Sequence, residues 1–549
     1  MVVLAILAAA ALARSIDIGR NPPGLFVDEA FKGYDAYSLL KTGQDLWGER
    51  LPIFFRSWGD YNSGLYRYLT VPWVALLGLT EAAVRATGVL FGTLTILAVF
   101  LLGRRLLSEK AGLAAAALLA VSPWHFQFSR SGFRGILLPF FLTVSALLFL
   151  RALERKRWWM VAAAAAFALS AYTYSAGRLV APLLFACLLF LHRRALKGQG
   201  RAIAASALAF LLLLVPLARI TLSGEGTRRY ELISVFREAG SQAATPQPGG
   251  PTGVTPSSRA GATRVAATVA GNYVSHFDPR FLLLSGDVNL RHSPRGVGQL
   301  NWAEFAFFWA GVVVALSRRG KHLIALSWVL IAFIPGSLTT DNVPNALRAI
   351  GALPAVQLVA ASGFVWLFAR SRPLVLALVA IGLVGSALHF QNYFTRYRVE
   401  AAPWWDYGYR DAIAYCESVK DDYAGIVVVA PDRAFMRAYA TNPYAYVFPL
   451  FYARVDPATL HRTKRPGKYA VVNAVEGARI EDAMLEPGIL YVIRARQAGS
   501  VRPLRIVDYP SGEPAFVITA RTRPSEETGS ALGRPAAGRG RPSGGSETP

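Results

Sequence analysis

Near the start of the chain two adjacent carboxylates, Asp28 and Glu29, stand in the stretch NPPGLFVDEAFKGYDAYSLL. They follow the apolar Leu25, Phe26 and Val27 and precede Phe31, Tyr34, Tyr37 and Leu40, which are spaced as one face of an amphipathic helix. Acids in a first helical turn favour the helix dipole and its free N–H groups. An acid held where water meets lipid has a second use: it takes a proton from an incoming hydroxyl. Four more polar clusters follow: SPWHFQFSRSGFR with Arg130 and Arg134, AYTYSAGR with Tyr174 and Arg178, SGDVNLRH with Asp287, Asn289, Arg291 and His292, and TTDNVPNALR with Asp341 and Arg348. Taken singly they read as snorkelling arginines, an aromatic belt, a polar turn and a capped helix start. Glu81 and Arg85, four residues apart, read as a structural ion pair.

The elements that must position these groups follow from composition. The 549 residues are 53% hydrophobic and 17% charged, with a mean hydropathy of +0.34, where soluble chains are about 25% charged. That excludes a soluble multidomain enzyme, a disordered chain and a disulfide scaffold; the two cysteines, Cys187 and Cys416, are too separated in context to pair. Ten runs from Ala86–Leu102 to Pro373–His389 contain no Asp, Glu, Lys or Arg and are long enough, or nearly so, to cross the hydrocarbon core. An eleventh, Val2–Ala13, reads as a first transmembrane helix whose start lies upstream.

Orientation follows from basic residues. Loops 103–110, 151–157, 192–201, 317–322 and 370–372 together hold sixteen Lys or Arg and only Glu109 and Glu154 as acids, so they are cytoplasmic. Gly64–Leu79 would break the alternation if it spanned, and reads as an interfacial or re-entrant helix. Everything polar then gathers on the non-cytoplasmic side: a first loop (14–83), a long loop (219–304) and the five clusters above.

The expected fold is a polytopic α-helical membrane protein with about eleven transmembrane helices, interfacial or re-entrant helices in the first outer loop, and a small C-terminal α/β domain outside. Residues 1–394 form the membrane domain and 395–520 the α/β domain, with strands at Ile426–Ala430, Tyr469–Ala474, Ile489–Arg494, Leu504–Tyr509 and Ala515–Ala520. Gly240–Arg264 and the tail 521–549 are too poor in large apolar residues to pack, and read as flexible.

Arginines beside a carboxylate at the water–lipid boundary suit an anionic phosphate on a lipid tail, because guanidinium grips phosphate with two parallel bonds. On this chemistry Arg130, Arg134, Arg178 and Arg348 are the phosphate candidates, and Tyr174, Asp287, Asn289, Arg291, His292 and Asp341 the candidates for contacts to the rest of the substrate. No metal-ligand spacing, nucleotide-binding loop, dinucleotide fingerprint or nucleic-acid motif appears, so neither a metal nor another cofactor nor a nucleic-acid partner is assigned.

The acid pair and the ordered set SPWHFQFSRSGFR, YTYSAGR, HFDPRFLLLSGDVNLRH and LTTDNVPNALRAIGALP resemble the GT-C superfamily of glycosyltransferases. Within it the chain is most similar to the bacterial branch related to protein O-mannosyltransferases and lipid A aminoarabinose transferases, over most of residues 20–395. The resemblance implies an inner-membrane enzyme that moves a sugar, with inversion, from a polyprenyl-phosphate donor to a protein, lipid or glycan acceptor at the extracytoplasmic surface. It makes Asp28 the expected base and Glu29 its support. Two other classes share parts of the pattern: an oligosaccharide ligase or polymerase with a diphosphate-linked donor, and a flippase for a lipid-linked sugar.

Overall fold

The computed structural model describes residues 1–57, 60–154, 158–227, 230, 233–236, 259–430, 444–474 and 478–521. Of the two segments read as flexible, 240–258 and 522–549 lie outside the described residues, whereas 259–264 open a regular helix.

Each of the eleven apolar runs falls mainly on helix, although Trp158–Gly177 leaves it at Ala171 and Leu323–Leu338 is interrupted at Phe333. The helices are α1 (Val2–Ser15), α4 (Glu81–Leu106), α5 and α6 (Glu109–Val121 and Pro123–Ser129), α7 (Leu137–Glu154), α8 (Trp158–Ala171), α9 (Gly177–Leu191), α10 (Gly200–Leu222), α12 (Trp302–Arg318), α13 (Lys321–Ala332), α14 (Leu353–Phe368) and α15 (Arg372–Phe394). Among the described residues five helices are long and apolar enough to cross a membrane, or six with the α5–α6 pair, bent by 61°, counted as one span. The protein is an integral membrane protein. Pro123 opens α6 and lacks the N–H that would continue α5, which accounts for the bend. Side-chain oxygens of Thr80, Ser108 and Ser371 accept from the N–H groups that α4, α5 and α15 would otherwise leave unpaired.

The bundle has a centre and a rim. The helical stretch Ile350–Phe368, which ends in α14, is 78% buried, against 17% for α10 and 22% for α15, whose leucines face outward. α14 lies against α12 at two glycines: a Cβ on Gly311 would overlap the Val359 carbonyl, and one on Gly363 the Phe307 carbonyl. Close backbone approach through small residues is how membrane helices gain dispersion contact without a hydrophobic drive. Gly311→Leu is therefore expected to destabilise the bundle by about 1–3 kcal/mol or more through overpacking. A lowered unfolding temperature in detergent checks it; an unchanged one refutes the contact.

Between α1 and α4 the chain forms α2 (Val27–Thr42), a two-stranded hairpin of β1 (Phe54–Ser57) and β2 (Asp60–Ser63), and α3 (Leu65–Leu77), the segment read as interfacial or re-entrant. Between α10 and α12 runs α11 (Arg259–Ser275). The hairpin has no counterpart in the expected layout.

Residues after 395 build a mixed sheet of order β4-β3-β5-β7-β6, from β3 (Gly425–Ala430), β4 (Tyr469–Asn473), β5 (Ile489–Arg494), β6 (Arg505–Asp508) and β7 (Pro514–Ala520). The first three strands run parallel and the last two pairings are antiparallel. One face packs on α16 (Tyr409–Val419) and α17 (Val447–Tyr452), with Tyr409 stacked 4.0 Å from Phe448. A short helix, α18 (Pro457–Thr463), capped by Asp456, follows. This layer is not hung beyond the bundle: its buried residues and those of the membrane helices make one continuous apolar core.

Candidate functional site

The site begins at the first turn of α2. Glu29 is fully buried and its carboxylate accepts from four donors: Phe26 N (3.1 Å), Gly132 N (2.6 Å), and Nε and Nη2 of Arg85 (3.1 Å each). Reaching back to Phe26 satisfies one of the N–H groups a helix start leaves unpaired. The remaining Arg85 donors go to the carbonyls of Ile18, Pro22 and Gly24. Arg85 thus pairs with Glu29 and not with Glu81, which bonds instead to Arg410 at 2.8 Å. Helical spacing puts Arg85 within reach of Glu81, but burial decides the partner: a fully buried guanidinium needs a fully buried carboxylate.

With Glu29 fixed, its neighbour Asp28 stays partly exposed on the same turn. One turn on, Lys32 is buried, donates to the Asp28 carbonyl (2.9 Å) and lies 6.0 Å from the Tyr66 ring. Burial pushes its ammonium down to about 8; Asp28 and Glu29 oppose that shift, and Arg67 and Arg134 add to it. Those four charges are the immediate electrostatic surroundings of Lys32. Arg67 of α3 is itself buried on Asp35 (2.6 Å), whose carboxyl burial raises to about 6 against the pull of Arg67.

The five polar clusters do meet at this end of the bundle. The Glu29–Gly132 bond joins α2 to the 129–134 loop. Arg134 lies 5.6 Å over the Tyr174 ring, which brings in the 171–178 turn. The Arg291 carbonyl accepts from Gln127 (3.0 Å), and the His292 ring packs on Phe128 and Phe133 at 5.6 and 6.0 Å. The Asp287 carboxylate accepts from His292 Nδ1 (2.9 Å) and from Ala346 N (2.8 Å), tying in the 338–348 connection. Burial pushes the Asp287 carboxyl up, but His292 and the hydrogen bonds from Asn289 and Ala346 outweigh it and hold it below the usual range. Asn289 orients Arg291 through its N–H and Nε (3.0 and 3.3 Å), and the guanidinium stacks 4.0 Å from Phe26, two residues before Asp28. His276 is locked between the Asn272 carbonyl and Asn345 N, and burial pushes its ring down to about 4.

Three of the four expected phosphate arginines are engaged elsewhere. Arg130, fully buried, gives all four Nη hydrogens to the carbonyls of Ala13, Arg14, Ile16 and Asn21 (2.6–2.9 Å), so it caps α1 and holds the chain leading to α2. A helix end offers a ring of unpaired carbonyls at partial negative charge, and a buried guanidinium satisfies them. Arg348 holds its own loop through Asp341 Oδ1 (2.6 Å), Asp341 O and Thr339 Oγ1; Asp341 is half-exposed there. Arg178 donates to the Gly226 carbonyl (3.0 Å). Arg134 is the one set beside the Asp28 turn.

Residues after 395 complete the site, which sequence reading did not foresee. Asp406 Oδ2 accepts from Val27 N (3.2 Å), Trp405 lies 5.6 Å from the Arg85 guanidinium, and a Cβ on Gly24 (φ 76°) would meet the Trp405 carbonyl. No periodicity signals such a contact across almost 380 residues; the PWWDYGYR run was its only trace. Lys32 and Arg67 were also missed, and the signal was available: a lysine four residues after Asp28 on the same helical face. Among the described residues no three His, Cys, Asp or Glu side chains gather as a metal site.

Comparison with known proteins bears on this arrangement. Against solved structures, ArnT from Cupriavidus metallidurans in the apo state aligns with a TM-score of 0.56 at 14% identity, over 95% of this chain and 98% of that one. The same protein bound to undecaprenyl phosphate gives 0.53 at 14%, over 94% and 97%. The chain has the fold of that protein over nearly its whole length. Residues 65–218, from α3 to α10, match the family model of dolichyl-phosphate-mannose-protein mannosyltransferase. An oligosaccharyltransferase from Archaeoglobus fulgidus aligns at a TM-score of 0.47 and 16% identity, over 78% of this chain and 61% of that one. No protein of curated function matches the chain by sequence.

Proposed function

We propose that this protein is an inverting glycosyltransferase that moves a monosaccharide from a polyprenyl-phosphate donor to an acceptor hydroxyl. In this reading all eleven apolar helices cross the inner membrane, residues 1–394 are the transferase domain, and the site and residues 395–520 face the extracytoplasmic side. The observation that carries it is the clamped first turn of α2: Glu29 is bound by Arg85 and Gly132, so Asp28 is held partly exposed beside Lys32, whose ammonium also feels Arg134. The ArnT-like fold supports the donor class, since that protein is seen with undecaprenyl phosphate.

Asp28 takes the proton of the acceptor hydroxyl as its oxygen attacks C1 on the face opposite the lipid phosphate. The C1–O bond to the phosphate breaks, and the leaving phosphate carries away the bonding pair. Oxocarbenium character at C1 and charge on the phosphate develop together. Lys32 and Arg134 meet that charge already oriented, which lowers the barrier more than it tightens ground-state binding. Arg178 and Arg348 brace the surrounding connections, Tyr174 supports Arg134 from below, and the Asp287, Asn289, Arg291 and His292 network shapes the acceptor side.

The test is transfer in proteoliposomes supplied with a polyprenyl-phosphate sugar. Product with inverted anomeric configuration is expected; turnover only with a diphosphate-linked donor would replace this reading by the ligase one. Lys32 adds a pH signature. Its ammonium, titrating near 8, is charged below that pH and neutral above it, so donor KM is expected to climb as pH passes from 7 to 9. Lys32→Arg, which stays charged, is expected to flatten that climb. The same pH dependence in the variant would remove Lys32 from donor binding.

A further inference from the structure

The loop after α2 and the helix α18 form one surface that the transfer mechanism does not use. The Asp45 carbonyl accepts from His461 Nε2 (2.8 Å), and Gly48 lies against the same ring. Exposed on this surface are Lys41, Arg50, Arg454, Arg462, Lys464 and Arg465, six cations against two exposed carboxylates, Glu49 and Asp456. None of the six forms an ion pair among the described residues, and Asp456 is occupied in capping α18 (2.8 Å to Thr459 N). Basic clusters at cytoplasmic loops need no explanation beyond topology. This one lies on the side of α2, so in the proposed orientation it faces away from the cytoplasm and topology does not account for it.

A second feature sits within it. The rings of Trp47 and Tyr446 are parallel to within 8° with centroids 6.3 Å apart, both half-buried, and the Arg56 guanidinium is 5.3 Å from the indole. The indole N–H is already bonded to the Arg56 carbonyl (3.0 Å), and with Tyr446 and the Arg56 guanidinium against its ring the three side chains form one aromatic and cationic patch. Flat aromatic faces match the C–H faces of pyranose rings, and cations match phosphate or carboxylate groups on them. Along α2 Lys41 lies about 20 Å from Asp28, whereas Tyr34, six residues after Asp28, already bonds the Val455 carbonyl (2.8 Å), so the surface runs outward from the neighbourhood of Asp28. A single sugar cannot cover its length.

We infer that the surface formed by residues 41–56, Tyr446 and residues 454–465 is a docking platform for an extended acidic glycan, the acceptor whose end reaches Asp28. The inference rests on the glycosyltransferase reading and names its acceptor class. Ionic attraction holds the chain and aromatic stacking sets its register, so affinity rises with chain length and falls with salt.

The test uses the full chain in zwitterionic nanodiscs with polygalacturonate as probe and neutral dextran of matched length as control. Wild type is expected to bind the acidic polymer and not dextran, with binding weakened at least tenfold between 50 and 500 mM salt. R462E/K464E/R465E is expected to lose at least tenfold in affinity, and Trp47→Ala to weaken binding while keeping the salt dependence. If the triple variant misfolds, R50E/R454E, on both sides of the contact, serves in its place. Equal binding of dextran, or unchanged binding by both charge reversals, overturns the platform. So does a charge-reversal effect seen only in anionic nanodiscs without polymer, which would assign the surface to lipid headgroups. Asp28→Asn is expected to bind the polymer like wild type and to transfer nothing. Absence of transfer by wild type with binding intact would overturn the catalytic reading and leave the platform standing.

Discussion

Replacing Asp28 with Asn is expected to lower transfer by about 10²–10⁴-fold, the usual contribution of a positioned general base. The substitution keeps the size of the side chain, and the clamp is built on Glu29, which accepts from Phe26 N, Gly132 N and Arg85. Expression, unfolding temperature and donor KM should therefore match wild type, while kcat falls. Asn cannot accept the proton, so raising the pH will not rescue it. Single-turnover assays with saturating polyprenyl-phosphate sugar measure the chemical step directly. Transfer within a fewfold of wild type would remove Asp28 from the mechanism.

Removing Arg85 is expected to act through the fold. Arg85→Ala strands the Glu29 carboxylate in a fully buried position and frees three backbone carbonyls that the guanidinium now satisfies. Breaking one partner of a buried pair costs about 3–5 kcal/mol. The unfolding temperature in detergent should drop, and transfer should fall with it, because the first turn of α2 loses its anchor. This pattern differs from that of Asp28→Asn, where activity goes and stability stays. Glu29→Gln is expected to fall between them: it keeps the shape but leaves Arg85 without a counter-charge. Wild-type unfolding for Arg85→Ala would show that the clamp does not hold this end of the bundle.

Much of the architecture was legible because the bilayer imposes simple rules. A helix that must satisfy its own backbone and face lipid leaves a long uncharged run, and each such run is mostly helical in the structure. The C-terminal strands were legible for a different reason: Ile426–Ala430 and Ile489–Arg494 are short, β-branched and bounded by turn residues. The hairpin at 54–63 was not, since its Phe54–Ser57 strand, with a buried Phe55 and an arginine, resembles neither an alternating nor a continuous apolar run.

Residue types and their places on the chain determined that carboxylates, arginines and aromatics recur at one end of a membrane bundle, because periodicity and charge asymmetry are written locally. Only the tertiary structure decided which partner each charge takes. A guanidinium reaches many acceptors, and burial selects among them: Glu29 takes Arg85 away from Glu81, helix α1 takes Arg130, Asp341 takes Arg348, and Asp406 arrives from beyond the last long helix to meet Val27. Those choices are energies of desolvation and geometry in three dimensions, and they have no spacing along the chain to betray them.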